Sequence, residues 1–380
     1  MQIRFCVTIQ KNGGKMKVLV GMSGGVDSSV AALLLKEQGY EVIGATMSHW
    51  GTSEIFSKLN EKIASKPKNL THGACLCPDE KEDIEQAKKI CEKLGIKHYV
   101  IDCSNEYEQT VLNYFKEEYM AGRTPNPCVR CNKYIKFGVF PDLAKKSGIE
   151  FDKFATGHYA RIEEKDGKFY LKKGVNPKKD QSYFLYGLSQ EQLSKILMPL
   201  GNYTKDEIRD IARKYGFEVA DKPDSQDFYN GDYNDILDAK PKKGNIVDTK
   251  GNILGTHEGF WNYTIGQRKG LGIAAPAPLY VKELRKDTNE VVVAYKEDSM
   301  NEGLIAYNVS FNCEIPKTPL KCKVKIRSAQ EPRSATVKVL ENNKAEVVFE
   351  ELQNPIATGQ SAVFYDNDTV LGGGVIESVF

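Results

Sequence analysis

The sequence predicts an α/β domain followed by a small connector and a C-terminal β-barrel. Three runs near the start alternate between strand and helix patterns: KVLVG at 17–21, SSVAALLLKEQ at 28–38 and EVIGATMS at 41–48. Such alternation is typical of a parallel, Rossmann-like sheet. After about residue 279, short alternating runs such as EVVVAY and SAVFY are separated by turn residues, a pattern that predicts a small barrel.

Later elements follow the same logic in chain order. Residues 79–94 form an amphipathic pattern with acidic residues in its first turns, where the helix dipole favours them, and 96–103 and 151–160 read as strands. Residues 204–216 read as a helix that begins with a capping box of Thr204 and Glu207. The predicted division of the chain is an N-terminal extension (1–15), an α/β domain (16–202), a central connector (203–278) and the β-barrel (279–380).

Composition excludes several classes of protein. The 380 residues hold 53 Lys and Arg against 51 Asp and Glu, a net charge of +2, which excludes a uniformly basic nucleic-acid binder but allows a local basic face. No apolar run approaches the roughly 18 residues of a membrane helix, and the first 15 residues lack the features of a signal peptide. We expect a cytoplasmic protein without a membrane partner, whose nine cysteines are thiols, ligands or catalysts.

The string SGGVDS at 23–28 lies between a predicted strand and a predicted helix. Its two glycines allow the backbone to approach a ligand closely, and the N–H groups at the helix N-terminus favour an anion. The carboxylate of Asp27 beside phosphates calls for a cation, from which we infer Mg²⁺. The string resembles the signature of the PP-loop ATP pyrophosphatases, which cleave ATP between the α and β phosphates and transfer AMP to a substrate oxygen.

Residues 122–138, GRTPNPCVRCNKYIKFG, place a CxxC pair, Cys128 and Cys131, in a loop rich in proline and basic residues. The segment carries four cations without an acid between them: Arg123, Arg130, Lys133 and Lys136. They would attract a polyanion and lower the pKa of a nearby thiol, and we expect Arg130 and Lys133 to raise the thiolate fraction of Cys131. A zinc ribbon would need a second CxxC, and the chain has none. A redox pair or two incidental thiols are the other interpretations.

Taken together, these strings closely resemble the tRNA-specific 2-thiouridylases, the MnmA/TrmU family, from about Lys17 to Phe380. The strings that carry the resemblance, in chain order, are GMSGGVDSS (21–29), AGRTPNP and CNK with IKF (121–137), ATGHYAR (155–161), KDQSYFLY (179–186), DSQD (224–227), TIGQRKGLGI (264–273) and TGQSAVFY (358–365).

The resemblance implies formation of 2-thiouridine at the wobble position of tRNAs for Lys, Glu and Gln. ATP adenylates the C2 oxygen of the uridine, sulfur attacks C2, and AMP leaves. Cys131, with Cys128 beside it, matches the catalytic position. The implied ATP contacts are Gly21, Met22, Ser23, Gly24, Gly25, Val26, Asp27, Ser28, Met47 and Gly157. The implied tRNA contacts are Asn126, Pro127, Cys128, His158, Lys179, Asp180, Gln181, Arg327, Ser328 and Gln360. A cysteine desulfurase or a sulfur carrier is the implied sulfur donor.

Two positions depart from the family pattern. Most members have Asp where this chain has Cys128, and a second catalytic cysteine at or beside the position of Tyr229. A phenol cannot carry a persulfide, so the usual sulfur route cannot run unchanged.

Three alternatives remain open at this point. The CxxC pair could supply both thiol roles, or Cys128 and Cys131 could bind a [4Fe–4S] cluster together with Cys75 or Cys77. The third alternative is a lost or changed thiolation activity.

Two other functions compete with tRNA thiolation. A PP-loop ligase that acts on a small molecule would need neither the GRTPNP segment nor the β-barrel. A catalytically inactive tRNA-binding paralogue would have no reason to keep the SGGVDS loop.

Overall fold

The computed structural model describes residues 14–64, 74–76, 80–224, 227–312 and 319–380. Residues 1–13 of the predicted extension and Cys77 lie outside the described residues. The chain divides into two compact units. The first unit holds the described residues up to Thr110, Cys128–Gly231 and Asp368–Val370, and the second holds the described residues of Val111–Pro127, Asp232–Asn367 and Leu371–Phe380.

A five-stranded parallel sheet forms the centre of the first unit and confirms the predicted fold class. The strands of this unit are β1 (Lys17–Gly21), β2 (Glu41–Ser48), β3 (His98–Asp102), β4 (Lys153–Ala155), β5 (Ala160–Lys165), β6 (Lys168–Lys173) and β7 (Ile196–Leu197). The sheet order is β3-β2-β1-β4-β7, and every pair in it is parallel. Val18, Leu19 and Val20 of β1 are fully buried, as expected for the central strand of a sheet covered on both faces.

The described helices include the three that the sequence predicts, at 28–38, 79–94 and 204–216, and others that it does not. They are α1 (Val26–Glu37), α2 (Glu54–Ala64), α3 (Glu80–Leu94), α4 (Ser104–Tyr107), α5 (Asn113–Met120), α6 (Pro127–Arg130), α7 (Phe140–Lys146), α8 (Gln190–Ser194), α9 (Lys205–Lys214) and α10 (Tyr233–Leu237). The predicted helices correspond to α1, α3 and α9, and the sequence analysis did not predict the others. It also placed the CxxC pair in a loop, which is wrong: α6 leads into a π-helix, Cys131–Val139, and then into α7.

Local chemistry explains the helical CxxC segment. Pro127 stands at the first position of α6, where its missing N–H costs no hydrogen bond. Ile135, Phe137 and Phe140 are buried, so an apolar face anchors the segment. The proline that suggested a loop therefore starts a helix.

The predicted capping box at the start of α9 is confirmed. The Thr204 hydroxyl accepts a hydrogen bond from the Glu207 N–H at 3.3 Å, and the Thr204 N–H donates to the Glu207 carboxylate at 2.7 Å. The cap fixes the position of Lys205, the first residue of α9.

A four-stranded sheet in the second unit contains β8 (Gly244–Val247), β9 (Ile253–His257), β10 (Tyr280–Arg285) and β11 (Glu290–Ala294). Its order is β10-β11-β8-β9, with β8 and β11 parallel. The sequence analysis assigned β10 and β11 to the C-terminal barrel, but they pair within this sheet. An alternating pattern identifies a strand without identifying its partner, which explains the difference.

Six further strands close into the predicted C-terminal barrel. They are β12 (Asn301–Phe311), β13 (Leu320–Lys325), β14 (Arg333–Leu340), β15 (Lys344–Gln353), β16 (Ser361–Asp366) and β17 (Thr369–Val379). Antiparallel pairing of β12 with both β15 and β17 completes the closure. Leu304, Val337 and Phe364 are fully buried in its core. Within the described part of the chain, no helix is long and apolar enough to span a membrane.

We predict that Thr204→Ala lowers the free energy of unfolding by about 1 kcal/mol, because an N-cap side chain is lost. Thermal unfolding followed by circular dichroism measures the effect. Thr204→Ser keeps a capping hydroxyl and is the matched control. Equal melting temperatures for Thr204→Ala and the unchanged protein would show that the cap contributes nothing.

Candidate functional site

The SGGVDS loop joins β1 to α1 at the carboxyl edge of the parallel sheet. The Met22 N–H donates to the Ala45 carbonyl at 2.8 Å and ties the start of the loop to β2. Gly24 has a φ of +70°, and a Cβ built there would lie 2.4 Å from the Asp83 carbonyl oxygen. Only glycine fits this position, both for its backbone conformation and for the space around it.

The N-terminus of α1 suits an anion. No side chain among the described residues caps this helix at Gly25. The Ser28 and Ser29 hydroxyls instead donate to the Gly25 carbonyl, at 3.1 and 2.8 Å, and hold the loop in shape. A helix N-terminus of this kind presents N–H groups and the positive end of the helix dipole to a phosphate.

Two further predicted ATP contacts lie at the ends of neighbouring strands. Gly157 follows β4 and packs on the loop so closely that a Cβ there would lie 2.8 Å from the Asp27 carbonyl carbon. Met47 is partly buried near the end of β2, which pairs with β1. The carboxyl ends of parallel strands are where ligands bind in open α/β sheets.

The carboxylate of Asp27 is neutralised by a lysine. Lys205 Nζ lies 2.7 and 2.9 Å from the two oxygens of Asp27, and the Tyr159 hydroxyl donates to Asp27 at 2.7 Å. The side chain of Lys205 is only 8% exposed. The sequence analysis inferred Mg²⁺ because Asp27 needs a cation, and the structure supplies that cation as Lys205.

Lys205 also forms a salt bridge with Asp224, with Nζ 2.6 Å from the carboxylate. Asp224 accepts a second hydrogen bond from Lys179 Nζ, also at 2.6 Å. Burial would raise the pKa of Asp224, but hydrogen bonds from Lys179 and Lys205 lower it below its usual range. Burial and the neighbouring Asp27 carboxylate raise the pKa of Tyr159 far above its usual value, so this phenol remains a hydrogen-bond donor. Sequence reasoning missed Lys205, although a lysine at the first position of a helix, where the dipole disfavours a cation, was a signal.

Cys75, Cys128 and Cys131 gather around Lys136, and we call these four residues the thiol cluster. Cys131 is buried, Cys128 is partly buried and Cys75 is exposed, and all three are free thiols. Burial raises the pKa of Cys128 to about 12 and that of Cys131 to about 11, while the Lys136 ammonium opposes both shifts.

These values contradict the prediction of an enhanced thiolate fraction. Two of the four cations that supported it, Arg130 and Lys133, are directed elsewhere. Arg130 donates to the Thr110 carbonyl at 2.8 Å and lies over the Tyr134 ring, and Lys133 also lies against that ring. Lys136 is the cation that acts on the thiols, and burial outweighs its effect.

The segment that carries Cys75 pairs with the chain just before Tyr229. Ala74 forms a parallel β-bridge with Asp227, and the Cys75 N–H donates to the Asp227 carbonyl at 3.0 Å. The Leu76 N–H donates to the Phe228 carbonyl at 2.8 Å. Tyr229 is 3% exposed. Sequence reasoning did not foresee this pairing, which brings Cys75 close to the position where the family cysteine is missing.

The iron–sulfur alternative is tested only for the candidate ligands that the structure describes. Among the described residues, no three His, Cys, Asp or Glu side chains are placed so that they could hold one metal ion. This covers Cys75, Cys128 and Cys131, whereas Cys77 lies outside the described residues. We therefore derive no step through a cluster.

His158 lies between the loop and the thiol cluster. Its Nδ1 is 2.7 Å from the Thr156 hydroxyl, and its ring packs on Phe137 at 5.6 Å. Burial and then the nearby Lys136 lower the pKa of His158 to about 3, so the imidazole is neutral at physiological pH. A neutral imidazole can bind RNA through a hydrogen bond but not as a cation.

The predicted tRNA contacts at 179–181 already have partners inside the first unit. Lys179 pairs with Asp224, as described above. Asp180 accepts hydrogen bonds from the Gly174 and Ser182 N–H groups and from the Ser182 hydroxyl. Gln181 accepts from the Tyr159 N–H at 2.9 Å. These side chains shape the turn, and their contact with RNA remains a prediction.

In the second unit, two predicted RNA-facing side chains also form hydrogen bonds within their own unit. Arg327 donates to the Ile265 and Pro355 carbonyls, each at 3.0 Å. Gln360 donates to the Thr124 and Pro125 carbonyls, at 3.1 and 3.0 Å, and so fixes the chain just before Asn126. Of the remaining predicted contacts here, Asn126 and Pro127 are buried and Ser328 is exposed.

Comparison with known proteins gives matches along the whole chain. Three family models match consecutive segments: a tRNA methyl transferase HUP domain at 16–229, a tRNA methyl transferase PRC-barrel domain at 235–295 and an aminomethyltransferase beta-barrel domain at 301–376. A tRNA-specific 2-thiouridylase MnmA from Endomicrobium trichonymphae is 50% identical over 95% of this chain and 99% of its own length. The proteins of that name from Clostridium perfringens and Acetivibrio thermocellus are 44% and 46% identical over 96% of this chain and 99% of their own lengths.

The glycine-rich loop, the uncapped helix and the parallel sheet define an α/β nucleotide-binding domain of the PP-loop class. The three matched segments and the relatives of nearly equal length narrow this class further. The chain belongs to the tRNA-specific 2-thiouridylase MnmA family.

We predict that Lys205→Met weakens ATP binding by at least ~10-fold, about 1.4 kcal/mol, because Asp27 and Asp224 then repel the phosphates. Isothermal titration calorimetry with a non-hydrolysable ATP analogue measures it. Lys179→Met removes a lysine that pairs with Asp224 and is not bonded to Asp27, so it is the matched control. Affinity should partly return in the double variant Lys205→Met/Asp27→Asn. An unchanged affinity in Lys205→Met would show that the ion pair does not serve the nucleotide.

We predict that iodoacetamide labels Cys75 first at pH 7, because that thiol is exposed. Labelling of Cys128 and Cys131 should rise by ~10-fold for each pH unit up to their pKa values of about 12 and about 11, since the thiolate is the reactive form. Peptide mass spectrometry measures the rates, with the buried core thiol of Cys91 as control. Equal rates for Cys131 and Cys75 at pH 7 would contradict the buried position of Cys131.

Proposed function

We propose that this chain is an ATP-dependent tRNA-uridine 2-sulfurtransferase. The observation that carries the proposal is the intact SGGVDS loop, which lies in the same compact unit as the thiol cluster. Family membership over nearly the full length supports it, because the relatives carry the name tRNA-specific 2-thiouridylase.

The reaction needs an activation step, because the urea-like C2 oxygen of uridine is a poor leaving group. The C2 oxygen of the target uridine attacks the α phosphate of ATP, pyrophosphate leaves, and the adenylated oxygen can then depart as AMP. The N–H groups at the start of α1 hold phosphate oxygens, and the backbone at Gly24 brings them close. Lys205 keeps Asp27 from repelling the triphosphate.

Sulfur transfer falls to the thiol cluster, with Cys131 and Cys128 as the proposed catalytic thiols. Burial keeps both protonated at neutral pH, and Lys136 stabilises whichever thiolate forms during the reaction. We propose Mg²⁺ as a companion of ATP. Because Asp27 is paired with Lys205, we derive no step through the metal.

The proposed RNA substrates are the tRNAs for Lys, Glu and Gln, with the target base taken out of the stack and into the ATP pocket. The second unit, which includes the β-barrel, is the proposed site for the anticodon arm. With a net charge of only +2, binding depends on a clustered basic face and should weaken as salt rises. A cysteine desulfurase or a sulfur carrier in the cytoplasm is the proposed sulfur source.

The decisive experiment measures pyrophosphate, AMP and 2-thiouridine from ATP, a sulfur donor and unmodified tRNA. We expect all three products to form together and to depend on tRNA. Gly24→Ala should reduce the rate at least ~100-fold, because its Cβ would collide with the Asp83 carbonyl in a left-handed backbone conformation.

Gly39→Ala is the matched control, because Gly39 has a φ of +91° with no atom within 4 Å of an added Cβ. It introduces the same kind of backbone strain outside the site and should keep the activity. Absence of pyrophosphate release with every tRNA would identify an inactive tRNA-binding paralogue. AMP formation that requires a small molecule in place of tRNA would identify a different PP-loop ligase.

A further inference from the structure

The thiol cluster combines two buried or partly buried thiols with one exposed thiol. A sulfur atom delivered by another protein must first reach a cysteine that solvent can reach. Cys131 is buried and Cys128 only partly exposed, whereas Cys75 is exposed. This difference in exposure assigns different tasks to the three thiols. The argument rests on the proposed thiolation activity.

Backbone contacts fix the position of Cys75. Its N–H is bound to Asp227, and its carbonyl oxygen lies 2.8 Å from Nε2 of His49. His49 follows β2 at the carboxyl edge of the sheet, and its N–H donates to the Glu80 carboxylate at 2.7 Å. Cys75 is therefore anchored to the same edge of the sheet as the SGGVDS loop.

Proximity to the CxxC pair is the second observation. Cys75 is bound through its carbonyl oxygen to His49, the His49 ring packs on Tyr107 of α4, and α4 packs on the π-helix that begins at Cys131. In agreement with this placement, burial and then the neighbouring Cys75 sulfur raise the pKa of Cys128. The rings of Tyr107 and His49 lie 4.9 Å apart, and Tyr107 is buried. The exposed thiol and the CxxC pair thus lie on neighbouring elements of the same compact unit.

Tyr229 has no sulfur chemistry, and the segment that precedes it is paired with the segment that carries Cys75. We propose that Cys75 is the sulfur-carrying cysteine of this enzyme and that a thiol of the Cys128–Cys131 pair resolves it. In this chain the sulfur-carrying cysteine lies in the segment of Cys75, which pairs with the segment before Tyr229, and Tyr229 itself is buried.

The proposed steps balance in atoms and electrons. A donor persulfide passes its outer sulfur to the Cys75 thiol and leaves as a thiol. The outer sulfur of the Cys75 persulfide attacks C2, the C2–oxygen bond breaks, and AMP departs, which leaves C2 joined to Cys75 through two sulfurs. A CxxC thiol then loses its proton and attacks the Cys75 sulfur, a disulfide forms, and the 2-thiouridine leaves with the outer sulfur. A dithiol reductant returns two electrons and two protons to the disulfide.

The test compares two sulfur sources in single-turnover reactions with pre-reduced enzyme, ATP and unmodified tRNA. Glutathione persulfide requires the relay, whereas sodium sulfide can attack the adenylated C2 directly. We expect Cys75→Ala to lose at least ~100-fold with glutathione persulfide and to stay within about 3-fold of the unchanged enzyme with sulfide. Retained activity with sulfide also shows that the variant is folded.

Two matched variants sharpen the comparison. Cys322→Ala removes a partly buried cysteine of the barrel and should react normally with both sources. Cys77→Ala removes the other cysteine of the same CLC string and should also react normally. Loss of the persulfide reaction in Cys77→Ala with full activity in Cys75→Ala would overturn the proposal.

Mass spectrometry gives a second readout. After treatment with glutathione persulfide and alkylation, the peptide with Cys75 should carry one extra sulfur. After addition of ATP and tRNA, it should be linked by a disulfide to the peptide with Cys128 and Cys131. Extra sulfur on Cys131 alone would contradict the assignment.

Three other outcomes are distinguishable. Full activity of Cys75→Ala with the persulfide would overturn the relay while leaving the proposed function intact. Iron and labile sulfide in anaerobically purified protein, lost in Cys75→Ala, would assign Cys75 to a cluster and overturn it too. No 2-thiouridine from the unchanged enzyme with either source would instead refute the proposed function itself.

Discussion

The ion pair between Lys205 and Asp27 is the interaction on which the nucleotide site depends. A lysine that is 8% exposed must be paired, because an isolated charge at such depth costs several kcal/mol. Asp27 and Asp224 supply two carboxylates, and Tyr159 supplies a neutral donor. The network joins the start of α9 to the start of α1. The conformation of the SGGVDS loop thus depends on Lys205, a residue outside the loop. The capping box of Thr204 contributes because it fixes the position of Lys205.

The carboxyl edge of the parallel sheet brings the remaining groups together. The loop follows β1, His49 follows β2, and Gly157 follows β4, so three strand ends converge on one region of the first unit. The π-helix that begins at Cys131 adds that thiol and Lys136, and Cys128 lies in α6 just before it. π-Helical turns within helices are frequent at functional sites. The sheet therefore determines where activation of the uridine and sulfur transfer can meet.

The sequence predicts features that depend on neighbouring residues, and the structure adds contacts between residues that are far apart in the chain. SGGVDS, the capping box and the strand–helix alternation are each encoded within a few adjacent residues, and each is found as predicted. Lys205 lies 178 residues after Asp27 in the chain, and its position at the start of a helix indicates an unusual lysine without indicating its partner. The same holds for the hairpin of β10 and β11, because β11 pairs with β8 from an earlier segment. The thiol pKa was misjudged because charge is visible in a sequence whereas burial depends on the whole fold.

Burial of the CxxC pair has a chemical consequence for sulfur transfer. A thiol with a pKa of about 11 is almost fully protonated at neutral pH, which makes it a slow nucleophile towards solvent oxidants and stray electrophiles. The same protonation would slow its loading by a donor protein. The two thiols have different roles in the proposed relay. The exposed thiol accepts sulfur from the donor protein, and the buried thiol stays protonated until the adenylated base has bound. Lys136 lies where it can stabilise the thiolate once attack begins. A chain with a tyrosine at position 229 can therefore keep a sulfur relay if the exposed thiol, Cys75, comes from a neighbouring segment.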